Sequence, residues 1–278
     1  MALRTGRELV QALRRGQRMP ADGAIGSELL KWGIAPGDTV EANLSHTELV
    51  RGLHRSSIAA GAEIITTNTF GNSGSAAFTA GIELAEAEAK AAVPAISVFI
   101  SVYPGELIEK LELVSALFRK PLSGSRLLLI ETAVAIAEAV RATELARRNG
   151  ADIVAATCHF QPDGLMPDGT SPEAAAKALQ AAGASLVGGN CGAVPEAWVE
   201  VAQRMRAATD LPLLFQPNAG LPTASGDRLI YPADPVRFAQ NAMRLFDAGV
   251  SVVGGCCGTM PAHIAAVCSL LFDPQRRE

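Results

Sequence analysis

Residues 184–220 read ASLVGGNCGAVPEAWVEVAQRMRAATDLPLLFQPNAG. A short apolar run, ASLVGG, gives way to a loop, then to a Pro-opened stretch of helical character over 195–208, then to a second apolar run, LPLLFQP. Short apolar runs on either side of a longer helical segment are the pattern of parallel strands joined by a crossover helix. The same unit recurs in both directions. RMPADGA, AEIITTN, AISVFISV, SRLLLIE and ADIVAAT lie upstream and VSVVGG downstream, eight runs in all. Helices are predicted at 46–60, 74–92, 105–119, 134–148, 172–182, 195–208, 234–248 and 261–272, several opened by Pro, Ser-Pro or Asp-Pro. Eight strands and eight helices predict an α/β fold of the (β/α)8 TIM-barrel type, occupying residues 1–278 as one domain. The leading TGRELVQALRRG is expected to form an extra helix capping the barrel floor.

Composition narrows the function. The chain is 49% hydrophobic and 19% charged with a net charge of −4, so it lacks the basic footprint of a nucleic-acid binder. No stretch supplies the roughly 20 apolar residues of a membrane span, and the start has no signal-peptide core. A cytoplasmic protein is the expectation. Whether it forms a homo-oligomer is left open by the sequence.

In a TIM barrel the ligand site lies where strands end and βα loops begin. Those ends read DGAIGSE, TTNTFG, ET, GGNCG, PNAG and GGCCG, crowded with Gly, Asn, Asp, Glu, Thr and Cys, while the opposite ends, RRNGAD and QAAGAS, are plain turns. Three of the five cysteines fall at such ends: Cys191 after the sixth strand, Cys256 and Cys257 after the eighth. Those strands are two places apart in the ring, so the two ends lie about 10 Å from one another. Adjacent side chains of a strand point to opposite faces, so Cys256 and Cys257 share one site only if the backbone leaves strand geometry. Gly254, Gly255 and Gly258 are expected to permit that departure. Three convergent thiolates suit Zn2+ with a fourth position open. A vicinal disulfide, a Cys191 bridge, or three buried thiols are the alternatives. A phosphate cradle on the Gly-Gly loops is disfavoured, because anionic sulfurs repel the ligand. Cys158 and Cys268 are read as core packing, with contact of His159, next to Cys158, with the site as the lesser alternative.

DGAIGSEL, AGAEIITTNTFG, LLIET, GGNCG, PNAGLP and GGCCGTMPAHI, in that order, resemble the homocysteine S-methyltransferase family, over roughly residues 18 to 270. That group includes betaine–homocysteine methyltransferase and the homocysteine-binding module of cobalamin-dependent methionine synthase. The resemblance implies an S-methyltransferase that passes a methyl group to homocysteine, making methionine. It implies zinc on Cys191, Cys256 and Cys257. Asp22, Gly23, Glu28 and Glu131 are implicated at the amino-acid end of homocysteine, Thr67, Asn68 and Thr69 in the second loop, and Asn190 and Asn218 beside the metal. Glu131 also stands out on its own: it follows RLLLI, and a buried carboxylate requires a cationic partner such as an ammonium group. An alkyl thiol, with a pKa near 8.5, is mostly protonated at neutral pH, and zinc coordination deprotonates it, so no protein general base is demanded. The segment 95–125 departs from the family pattern, lacking the glycines of a Gly-Ser-Ile-Gly-Pro-like turn. That leaves the donor undecided between a small molecule and a corrinoid protein. A subunit of a split methionine synthase or other corrinoid-linked system, or a non-catalytic thiol- or metal-binding barrel, are the other readings.

Overall fold

The computed structural model describes residues 3–71, 75–110, 126–192, 195–225 and 228–276. Eight parallel strands form one sheet: β1 (Met19–Pro20), β2 (Ile64–Thr66), β3 (Ser97–Val102), β4 (Leu127–Ala133), β5 (Ile153–Cys158), β6 (Leu186–Asn190), β7 (Leu213–Gln216) and β10 (Val252–Val253). An antiparallel hairpin, β8 (Thr223–Ser225) and β9 (Arg228–Ile230), follows β7. The sheet order is β1-β10-β7-β6-β5-β4-β3-β2. Its two edges meet, because Glu63 N–H donates to Pro20 O at 2.9 Å and Asp22 N–H donates to Ile64 O at 3.0 Å. This closes the TIM barrel.

Helices α1 (Gly6–Arg14), α2 (Ile25–Lys31), α3 (Ala42–Ser45), α4 (Thr47–Ala59), α5 (Ala76–Ala91), α6 (Pro104–Glu109), α7 (Ile136–Arg148), α8 (Pro172–Ala181), α9 (Pro195–Ala208), α10 (Pro235–Asp247) and α11 (Pro261–Leu271) alternate with the strands or precede them. The strands' two faces fill different cores, as alternation requires. One set, including Met19, Ile64, Phe99, Leu127, Leu129, Leu186, Leu214 and Val252, fills the barrel interior with Leu9 and Leu13 of α1. Thr5 and Glu8 start α1 with a reciprocal capping box. Gly6 lies against Ile153 and Leu127, the first residues of β5 and β4. The first helix therefore plugs the floor, where the sequence puts it. The other face packs against the outer helices around Trp198, which meets Phe160 and Phe215 edge-on at 6.1 and 5.6 Å.

Three differences from the sequence reading matter. The first run yields a strand of two residues, and α2 and α3 precede the expected helix at 46–60. The hairpin was not foreseen, since three-residue strands offer too little alternation to register. The helix expected at 105–119 begins as α6 and ends at Glu109, with Lys110 as its cap. Residues 111–125, and with them about half of the departure at 95–125, lie outside the described residues.

Buried in α4, His54 has no hydrogen-bond partner for either ring nitrogen among the described residues, and burial pushes its pKa down to about 4. The unfolded chain binds this proton near pH 6.5, so between pH 6.5 and 4 it holds more protons than the native state. Stability is accordingly full above pH 6.5 and falls as pH drops toward 4, by roughly 3 kcal/mol from this group. Urea unfolding across that range checks this, and His54→Leu is expected to flatten the acid limb by the same amount.

Candidate active site

At the carboxyl ends of the strands lies a cavity of about 250 Å³, lined in part by Gly23, Thr67, Asn68, Ser101, Glu131 and the three cysteines. Cys191 directly follows β6, and β7 alone separates β6 from β10 in the sheet. The Sγ atoms of Cys191, Cys256 and Cys257 all lie within 4.8 Å of one another, and those of Cys256 and Cys257 are 3.8 Å apart. Three sulfurs each about 2.3 Å from one tetrahedral zinc stand roughly 3.8 Å apart, so the donor set and its spacing fit such an ion.

The backbone explains how both members of the pair reach one side. β10 ends at Val253, but its neighbours still guide the chain: Gly255 N–H donates to Asp22 O at 2.8 Å and Cys256 N–H to Pro217 O at 2.8 Å. The chain then turns, with Thr259 N–H and hydroxyl both donating to Cys256 O, at 3.1 and 2.6 Å. Gly258 makes the turn with φ +81°, the left-handed region that glycine enters freely. Gly254 and Gly255 serve differently from the expectation: their φ values are ordinary, and what they supply is room. A Cβ at Gly254 falls 2.8 Å from Ala21 Cβ, and one at Gly255 falls 2.4 Å from Thr259 Oγ1.

Cys191 itself has φ +59°, which costs a non-glycine residue energy and recurs at functional sites. Its N–H donates to Gln216 O at 3.1 Å, pinning the turn. Hydrogen bonds from the other two thiols push the Cys191 thiol well below its ordinary value, with help from His159, while its hydrogen bond with Cys191 pushes Cys256 well above. The His159 ring packs against Gly192, the residue after Cys191. Cys158 is fully buried in the outer core, and Cys268 packs over Gly61, remote from the trio.

Glu131 owes its position to an irregularity in β4. The register shifts between Ile130 and Ala133, where Thr132 takes φ +60°, and such bulges re-aim side chains. The Glu131 carboxylate accepts from the Ser101 hydroxyl and, at 3.1 Å, from Asn190 Nδ2. Asn190 is fully buried and also bonds Thr132, through N–H to Oδ1 and Nδ2 to Oγ1, both 2.8 Å. A further Nδ2 contact reaches Cys256 Sγ at 3.9 Å, so one amide ties the carboxylate to the sulfurs. Burial raises the Glu131 pKa to about 7, opposed by the Ser101 hydrogen bond and reinforced by Cys191. Among the described residues no ion pair involves Glu131.

The other predicted residues divide. Thr67 and Asn68 line the cavity, but their polar groups serve the wall. Thr67 Oγ1 accepts from Ser101 N–H at 3.1 Å and contacts Thr69 Oγ1, while Asn68 Nδ2 donates to Thr39 O at 2.7 Å and Asn43 Oδ1 at 2.9 Å. Two of the predicted residues stand outside the cavity lining. Glu28 does not line the cavity, since its carboxylate is drawn to Lys31 one turn along α2, at 2.5 Å. Asp22 lies fully buried behind the wall and accepts from Thr66 N–H at 2.7 Å, a brace between β1 and β2, with burial lifting its pKa to about 7. Ser101, Thr132 and Tyr231 were missed, since hydroxyls in a strand or past a hairpin carry no motif. The Tyr231 ring packs on Gly258, beside the cysteine pair. No described helix is long and apolar enough to cross a membrane.

Known proteins resemble this chain in sequence and in fold. The chain is similar to betaine–homocysteine S-methyltransferase 1 of Xenopus laevis, 30% identical over 96% of this chain and 76% of the relative. A shorter stretch, 41% of this chain, is 34% identical to 10% of methionine synthase from Mycobacterium tuberculosis. The metallated form of the homocysteine methyltransferase MmuM from Escherichia coli superposes with a TM-score of 0.76 at 22% identity, covering 94% of this chain and 99% of that one, a likeness of fold. The homocysteine S-methyltransferase family model matches residues 21–271, nearly the whole barrel and every strand end described above, and the chain therefore belongs to that family of methyltransferases.

Proposed function

We propose that the protein is a zinc-dependent S-methyltransferase that moves a methyl group onto the thiolate of homocysteine to give methionine. The single observation that carries this reading is three cysteine sulfurs within 4.8 Å of one another at the mouth of the barrel. Cys191, Cys256 and Cys257 are the ligands in this proposal. The bound metal supplies the means to keep a substrate thiol ionised and nucleophilic at neutral pH.

The chain's own residues do the rest. Glu131 receives the substrate ammonium, which answers why a carboxylate is kept half-buried without a cation: the ligand brings one. Ser101 and Asn190 hold the carboxylate in place, and the contact from Asn190 to Cys256 couples the amino end of the substrate to its sulfur end. Gly23 leaves the first loop close to Thr259, with Ala24 N–H donating to its hydroxyl at 3.0 Å, and so shapes the cavity wall. Orientation of this kind is the main protein contribution to an in-line displacement.

Two measurements test the reading. Purified, reduced protein is expected to hold about one zinc per chain, and a count of sulfur neighbours by X-ray absorption is expected to rise from three to four when homocysteine is added. Methionine formation assayed separately with betaine, S-methylmethionine and methylcobalamin then identifies the donor. Zinc near zero under reducing conditions overturns the mechanism. Glu131→Gln is expected to raise the KM for homocysteine roughly 10- to 100-fold, the worth of a hydrogen bond to a charged group, while zinc content stays unchanged.

A further inference from the structure

The two members of the cysteine pair are held by their main chain in different ways. Cys256 is fixed inside its own turn and on the strand beside it: its carbonyl accepts from Thr259, and its N–H donates to Pro217 O at 2.8 Å. Cys257 is held from further off. Its carbonyl accepts from Ala219 N–H at 3.0 Å, Ala219 O accepts from Ala233 N–H at 2.9 Å, and Ala233 O lies 3.0 Å from His263 Nε2. These links run from the end of β7, through the exit of the hairpin, to the first turn of α11.

His263 closes the circuit. Its Nδ1 accepts from Met260 N–H at 3.0 Å, so the neutral ring carries its proton on Nε2 and donates it to Ala233 O. The ring is buried, and Phe238 meets it edge-on at 5.4 Å, which fixes its plane. A helix cap alone asks less. An acceptor for Met260 N–H suffices at the start of α11, and the donor aimed at Ala233 is surplus to that task. We propose that His263 is a positioning residue of the cysteine site: as the Nε2–H tautomer it braces the link from Ala233 through Ala219 and so holds the Cys257 sulfur where a metal takes it. The inference rests on the reading of Cys257 as a zinc ligand.

In wild-type protein, nitrogen NMR of the imidazoles is expected to show His263 as a single Nε2–H tautomer, and a proton on Nδ1 overturns the proposal. His263→Asn keeps an acceptor for Met260 N–H but is too short to reach Ala233, whereas His263→Gln extends an amide donor toward it. In the full-length reduced protein, zinc binding measured by competition with a chromophoric chelator is expected to weaken roughly 10-fold or more in His263→Asn and to return to within about threefold of wild type in His263→Gln. In metal-free His263→Asn the Ala219 amide is expected to exchange its hydrogen faster than in wild type. Ser171→Ala controls for lost stability. It removes the cap of α8, where Ser171 Oγ accepts from Ala174 N–H at 3.3 Å, and zinc affinity is expected to stay unchanged. Zinc affinity within about twofold of wild type in His263→Asn overturns the proposal, and so does an equal loss in Ser171→Ala. Should His263→Asn fail to fold, His263→Gln decides, and lost zinc affinity there with the Ala219 amide still protected overturns it. Wild-type protein that binds no zinc overturns instead the reading of Cys257 beneath it.

Discussion

Replacing Cys257 with serine is expected to abolish methyl transfer, with activity at least 10³-fold lower and zinc per chain falling from about one toward zero. The reason lies in ligand chemistry. Serine's hydroxyl stays protonated and hard where the cysteine is a soft anion, and a site of two sulfurs holds zinc poorly against water. The loss is specific. Cys257 is only partly buried, its main-chain carbonyl still accepts from Ala219 N–H, and Gly258 still makes the turn, so the metal-free variant is expected to unfold within a few degrees of metal-free wild type. That comparison uses metal-free forms because zinc itself stabilises whatever binds it. Cys268→Ala is the control: its sulfur packs on Gly61, and zinc content is expected to remain at one per chain. Full zinc occupancy in Cys257→Ser dismisses the three-sulfur site.

The second large effect is on the barrel itself. Gly188→Ala is expected to destabilise by at least ~4 kcal/mol and to leave little soluble protein, because the new Cβ falls 1.7 Å from Leu214 O and 2.7 Å from Leu214 C. Gly188 and Leu214 are register partners on β6 and β7, and both obstructing atoms are main chain, so no rotamer change relieves them. The strands must part, and the ladder that carries Cys191 to its place parts with them. Gly26→Ala is the matched control. Nothing lies within 4 Å of its new Cβ, and it sits in helix α2, where alanine is the better residue by about 1 kcal/mol. Urea midpoints for the two variants decide the matter, and equal midpoints refute the steric argument.

Much of this was legible beforehand because it depends on local periodicity. The runs ADIVAAT and ASLVGG are apolar on both faces, and β5 and β6 are buried accordingly. Leu9 and Leu13 share one stripe of α1, enough to seat it under the barrel. The order of strands places the ends of β6 and β10 two apart, which is why Cys191 could be set against Cys256 and Cys257 before any coordinates. The site's finer parts were not legible, and particular residues show why. Asp22 and Glu28 stand in one motif, yet Thr66 and Lys31 take their carboxylates, and neither partner is visible from the motif. Ser101 sits in a uniformly buried strand and resembles any small core residue until Glu131 is brought beside it.

By itself, then, the sequence determined the barrel, its polarity and the convergence of three thiols, since repeating strand and helix units dictate which chain ends gather on one face. The tertiary structure alone decided where side chains point once a strand stops. Thr132 and Cys191 adopt left-handed φ angles, and Tyr231 arrives from a hairpin. Beyond a strand's last ladder bond the local pattern no longer constrains direction, and contacts between residues distant in the chain, such as Asn190 with Thr132 or Ala219 with Cys257, take over.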